Sequence, residues 1–186
     1  YLGGSAADAG LAIAVDSGGN AYVAGVTQSS DFFTTPGALE STYAGVGPNV
    51  PPALSGSAFV TKFTTAGSLV YSTFAPGAAA SQVAVDAQGD VYITGAGLSV
   101  IGPDGSTLLH SVKDAVPGGA LIALDPEGSV YSAAASLEYP FFPSEITIQS
   151  MFGGGIFDVA VTKFDFTLPP SVFVSALLNA ASYRPG

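Results

Sequence analysis

Along this chain, apolar and polar positions alternate with a period of two in short runs, and glycine, proline and aspartate punctuate them. One unit recurs three times, at 12–25, 82–95 and 121–134, and its register holds without a gap over fourteen positions. Each copy is the pattern of a β-hairpin. The first arm sets Ile13/Val15, Val83/Val85 or Ile122/Leu124 on one face and Ala14, Ala84 or Ala123 on the other. The turn runs Asp-x-x-Gly, as Asp16 to Gly19, Asp86 to Gly89 and Asp125 to Gly128. Aspartate can accept backbone N–H bonds inside such a turn, and glycine tolerates positive φ. The second arm opens with Tyr22, Tyr92 or Tyr131. A large flat ring at a repeated position is expected to pack between neighbouring sheets.

A second unit follows the hairpin. Phe59-Val60-Thr61-Lys62-Phe63 is matched by Ala160-Val161-Thr162-Lys163-Phe164. A further strand comes after it, at Ser68-Leu69-Val70-Tyr71-Ser72-Thr73 and again at Ser171-Val172-Phe173-Val174-Ser175. The middle repeat keeps a degenerate version, Gly105-Ser106-Thr107-Leu108-Leu109-His110-Ser111. Four strands per repeat is the composition of a propeller blade. The expected fold is all-β: three four-stranded antiparallel blades, incomplete or completed by another chain.

Here the chain resembles the bacterial seven-bladed β-propeller repeat family, the SBBP repeat. The residues that carry the resemblance are Tyr1-Leu2-Gly3-Gly4-Ser5, the Ala-x-Ala-Val-Asp hairpin, Asp31-Phe32-Phe33-Thr34-Thr35-Pro36-Gly37-Ala38, Phe59-Val60-Thr61-Lys62 and the strand from Gly67. The match is close over 1–74 and partial to about 177. Phe33 stands where the family usually has proline, and the second repeat lacks the Asp-Phe and Val-Thr-Lys segments. The resemblance implies an exported bacterial protein and no catalytic residues.

The expected organisation is a repeat segment over 1–177, with blades at about 1–74, 75–112 and 113–177. Residues 178–186 leave the repeat pattern and are expected to form a linker or the start of a further domain. Tyr1-Leu2-Gly3 resembles the end of a blade's last strand. Propellers have about 4–8 blades, so three do not close a ring. Upstream blades, or a sheet from another copy, are the expected complement. The start at Tyr1, with neither Met nor signal peptide, is what a processed product, a fragment or part of something longer would show. Open sheets have edges that seek partners, so head-to-tail or edge-to-edge assembly is expected.

Two insertions, 28–57 and 136–157, fall between the second and third strands of their repeats and share an aromatic-proline character. Phe32, Phe33, Tyr43, Tyr139, Phe141, Phe142, Met151 and Phe152 are the candidate interface residues. Either these side chains fold back over the blade edges, or they form a recognition surface on a rigid scaffold.

Composition narrows the function classes. Only 10% of residues are charged and the net charge is −10, so much of the surface must be neutral. That favours either a Ser/Thr/Gly-rich secreted surface or extensive contact with another protein. Four cations cannot neutralise a run of phosphates, so nucleic acid is not an expected partner. Glycine, serine, threonine and proline interrupt every apolar run, so membrane insertion is not expected. Cysteine is absent, which removes thiol chemistry and disulfides.

Candidate chemistry is sparse. His110 is the one histidine and lies at the position of Tyr71, where a packing or edge role is expected. Asp31, Glu40, Glu138, Glu145 and Asp158 could supply a carboxylate pair for glycoside hydrolysis if they met in space. Each Asp-x-x-Gly turn offers one convincing carboxylate, and none matches a calcium loop. No cofactor or metal is expected. The expected role is a non-catalytic extracellular module, secreted or on the cell surface, that associates with itself or with another surface protein. A carbohydrate-binding or carbohydrate-cleaving propeller is the alternative.

Overall fold

The computed structural model describes residues 1–45, 56–95, 97–113, 120–136, 158–164 and 166. Eleven strands occur among them, in three antiparallel sheets that follow one another along the chain. The first sheet is β1 (Asp8–Val15), β2 (Ala21–Thr27), β3 (Ser57–Phe63) and β4 (Leu69–Ala75), ordered as in the sequence. The second is β5 (Gln82–Val85), β6 (Val91–Thr94), β7 (Gly97–Ile101) and β8 (Leu108–Lys113). The third comprises β9 (Leu121–Leu124), β10 (Val130–Ser136) and β11 (Asp158–Phe164). The fourth strand expected there, 171–175, lies outside the described residues.

The sheets radiate. The innermost strands β1, β5 and β9 are neighbours, whereas β4 and β8 do not approach one another comparably. This is the arrangement of propeller blades around a shared axis, and the fold is that of an incomplete propeller.

The three hairpin turns are superimposable in their bonding. In each, Asp16, Asp86 or Asp125 donates its N–H to the carbonyl four residues on and accepts from the N–H of Gly19, Gly89 or Gly128. Those glycines have φ of 81°, 88° and 86°, the left-handed region in which a side chain would be strained.

Each sheet has two faces. We call the side bearing Val83/Val85 or its equivalents the front, and the side bearing the hairpin tyrosine the back. Tyr22, Val60 and Tyr71 on the back of the first sheet form one core with Val91, Ile93 and Ile101 on the front of the second, and Val83 and Val85 pack against it. The pattern repeats one blade later. Tyr92, Leu98 and Val100 meet Val130 and Phe164, with Ile122 and Leu124 packed against them. Each such aliphatic or aromatic side chain contributes about 1.5–3 kcal/mol when fully removed from water, so the two inter-blade layers are the main source of stability. Hydrogen bonds cross the same seams, from Ala80 N–H to the Gly25 carbonyl at 3.0 Å and from the Thr94 hydroxyl to the Ala120 carbonyl at 2.9 Å.

Residues 1–4 lie in no strand of the three sheets. The N–H groups of Gly4 and Ser5 find side-chain acceptors. The Gly4 N–H donates to Asp8 Oδ2 at 2.8 Å, and the Ser5 N–H to Asp31 Oδ1 at 2.9 Å.

Candidate interaction surface

The front of the first sheet is where the first insertion sits. Phe32 lies in a cluster with Phe59 and Phe74, and Leu2, Val23 and Tyr43 pack against it. The Phe32 and Phe59 ring centroids are 4.6 Å apart. Phe32 is 4% exposed, while its neighbour Phe33 is 57% exposed. The insertion therefore separates its two aromatics, one folded back over the blade and one facing water. Tyr43 leans on Phe74 at 6.1 Å between centroids. Tyr139, Phe141, Phe142, Met151 and Phe152 lie outside the described residues.

From Phe32 the insertion continues around the outer edge of β4. The Thr35 N–H donates to the Ser72 carbonyl, and the Ser72 N–H donates to the Thr35 hydroxyl. The Phe74 N–H donates to the Glu40 carbonyl. Leu39 then donates to the Gly105 carbonyl in the β7–β8 turn of the next blade, at 2.9 Å. An outer edge that would otherwise expose its N–H groups is thus capped.

The segment 1–6 is tied to this insertion through two acids. Asp31 Oδ1 accepts both the N–H and the hydroxyl of Ser5, and the Ser5 N–H in particular holds its carboxyl below the usual range. Asp8 Oδ2 accepts from Gly4 and from the Ser29 hydroxyl, while its Oδ1 is buried without a hydrogen bond. Asp8 drew no attention in the sequence because it belongs to no repeat, yet its partners all lie in segments that the resemblance covers. Of the other proposed acids, Glu40 serves β4 through its backbone, and Glu138 and Glu145 lie outside the described residues. Nothing is described of the Asp158 side chain.

The turn aspartates also use up their oxygens locally. Asp16 Oδ2 accepts from the Asn20 amide at 2.8 Å and from the Tyr22 hydroxyl at 3.0 Å. The Asn20 side chain and N–H lower its pKa from 3.8 to about 2. Asp86 accepts from the Gln88 and Asp90 N–H groups and from the Tyr92 hydroxyl. Asp125 is raised by partial burial but lowered more by its Ser129 bonds and by Lys163, 3.6 Å away. Burial and the neighbouring Asp86 charge raise the Asp90 carboxyl.

The Val-Thr-Lys segment has a role in the same corner. Lys62 sits over the Tyr22 ring at 4.8 Å and Lys163 over Tyr131 at 5.1 Å. In the second blade Val100 takes the lysine's place beside Tyr92 and is buried against the third blade. His110 pairs with Val100 across the strands and stacks on Phe166 at 4.7 Å, a packing role at a blade edge.

Among the described residues, some apolar side chains stand exposed on the front of the first sheet and on the back of the third. Ile13 and Val15, equivalents of the packed Val83 and Val85, are 69% and 61% exposed. On the back of the third sheet Leu121 and Val159 are 59% and 75% exposed. Ile13 and Val15 contrast with Val83, Val85, Ile122 and Leu124, which are half-buried against the inter-blade cores.

No curated protein matches the chain. Residues 1–33, from the glycine-rich start through the first hairpin to the Phe32–Phe33 pair, match the model of the SBBP family, a beta-propeller repeat.

Proposed function

We propose that this chain is a non-catalytic extracellular module, bacterial and secreted or displayed at the cell surface, that works by associating with itself in a filament, surface layer or adhesive scaffold. The observation that carries this reading is the bare apolar pair Ile13 and Val15, whose counterparts in the next blade pack into a core. Apolar side chains of that size gain free energy when covered. A surface with so few charges offers little resistance to association. Placement outside the cell rests on the SBBP resemblance, with which a chain without cysteine is compatible. Sedimentation velocity over a wide concentration range, with electron microscopy of the same samples, tests the reading. Concentration-dependent growth or filaments support it. A species that stays monomeric at all concentrations overturns it.

A further inference from the structure

We propose that Asp104–Gly105, in the turn between β7 and β8, is a site of isoaspartate formation held in check by Ser106, and that conversion there unhooks the first insertion from the second blade. This is the one Asp-Gly step in the chain. The fold demands both residues. Gly105 has φ of 72°, and a Cβ on it would run into the Tyr71 ring. Asp104 closes the turn: its Oδ1 accepts the Ser106 N–H at 3.0 Å and its Oδ2 the Ser106 hydroxyl at 2.7 Å. An aspartate is thus followed by the residue that shields its own nitrogen least.

In the reaction the Gly105 nitrogen bonds to Cγ of the protonated Asp104 carboxyl. The nitrogen's proton and one carboxyl oxygen leave as water, and a five-membered succinimide closes. Water then adds back and breaks one of the two ring C–N bonds. Opening at Cγ restores aspartate. Opening at the former backbone carbonyl carbon leaves the main chain running through Cβ, one carbon longer, with that carbonyl now a free carboxylate. One water leaves and one returns, so no other reactant is needed. The folded turn opposes each part of this. The Gly105 N–H is donated to the Gly102 carbonyl at 3.0 Å, which holds the nitrogen within the turn. Ser106 engages both carboxyl oxygens. Its hydroxyl, and then its N–H, keep the Asp104 carboxyl below the usual range, so it stays ionised and a poor target for a nitrogen nucleophile. What is protected is an anchor. The Gly105 carbonyl accepts the Leu39 N–H at 2.9 Å, the bond that ties the insertion to the next blade. An added carbon between Asp104 and Gly105 would move that carbonyl away from Leu39 and shift the glycine against Tyr71.

The test is to age the folded chain for weeks at neutral pH. Isoaspartate is counted by methyl transfer from an isoaspartyl methyltransferase and mapped by electron-transfer fragmentation. Ser106→Ala alters an exposed side chain, so it should fold, which circular dichroism checks. It should convert about tenfold faster than wild type, because the bond released is one to a charged group. Ser106→Thr keeps a hydroxyl and should hold the wild-type rate. Asp104→Glu cannot close the five-membered ring and should carry no label at this turn. Wild type unfolded in urea gives the unguarded rate, which should exceed that of the folded chain. Equal rates in wild type and Ser106→Ala, or in folded and unfolded wild type, would overturn the protection. Label mapping away from Asp104 would overturn the site. In the converted fraction the Leu39 amide should lose its protection from hydrogen exchange, whereas ageing should leave it unchanged in Asp104→Glu. Leu39 protection that survives conversion would overturn the unhooking.

Discussion

Ser5 gives its backbone N–H and its hydroxyl to the same oxygen of Asp31, each at 2.9 Å, across 26 residues of chain. The two ends of the stretch that matches the family are therefore in contact, one from the glycine-rich start and one from the insertion. Asp31→Ala removes both bonds, whereas Ser5→Ala removes only the hydroxyl's. Hydrogen exchange should show the Ser5 amide losing protection in Asp31→Ala and largely keeping it in Ser5→Ala. Equal loss in both would mean that the hydroxyl alone orders the segment.

Phe32 and Phe33 are adjacent in sequence and opposite in consequence. Phe32→Ala should cost about 3–5 kcal/mol, as large-to-small changes in a packed aromatic cluster do. Phe33→Ala should stay within about 0.5 kcal/mol. Denaturant unfolding of the two variants measures the difference directly. Similar losses would place both rings in the core.

Gly4 has no room for a side chain. A Cβ there would lie 2.5 Å from Asp31 Oδ1 and 2.5 Å from the Ser29 Cβ. Gly4→Ala should destabilise by about 1–3 kcal/mol, the range for forcing an extra carbon into a filled space. Thermal unfolding provides the test, with Gly37→Ala as a contrast: nothing surrounds that site, and only its φ of 80° opposes substitution.

The repeat itself suggests a stabilising change. Asn20 and Asp90 occupy the same turn position, but Asn20 donates its amide to Asp16 whereas Asp90 sets a second carboxylate beside Asp86. Asp90→Asn should add the missing donor and remove the repulsion. The gain at neutral pH should be about 1 kcal/mol once solvent screening is allowed for. It should shrink in acid, because a carboxyl with a raised pKa is already favoured as its protonated form in the folded chain. A neutral or negative effect at pH 7 would refute this.

Acid should act in the other direction on the remaining turns. Asp16 has a folded-state pKa of about 2 against an ordinary 3.8, so its stabilising effect is complete above the higher value. That effect is lost as pH falls through the lower one. Asp31, Asp104 and Asp125 are lowered in the same sense, Asp104 chiefly by the Ser106 hydroxyl and N–H. Melting temperature should therefore drop between about pH 4 and pH 2. Asp16→Asn should flatten part of that drop.

Much of this architecture was legible in the sequence because a repeated hairpin has a repeated physical cause. The Asp-x-x-Gly turns were visible in the letters, and so was the tyrosine that packs between sheets, since the same side chain meets the same surroundings in each copy. The Phe32–Phe33 pair was visible as a candidate but not as a division of labour. Which ring turns inward depends on Phe59 and Phe74, from strands that pair much later in the chain. Asp8 was not visible at all, because its partners Gly4 and Ser29 come together only once the insertion folds back. The carboxylate bonds of Gly4 and Ser5 were likewise hidden, because Asp8 and Asp31 reach them only in the folded chain.

The strap from Phe32 to Leu39 starts in the front cluster of the first blade and ends on the Gly105 carbonyl of the second. A stack of independent repeats would come apart one unit at a time, each held only by its immediate neighbour. Here the first two units are laced together, so they should melt as one cooperative block, and cutting the lace near Gly37 would divide a single transition into two.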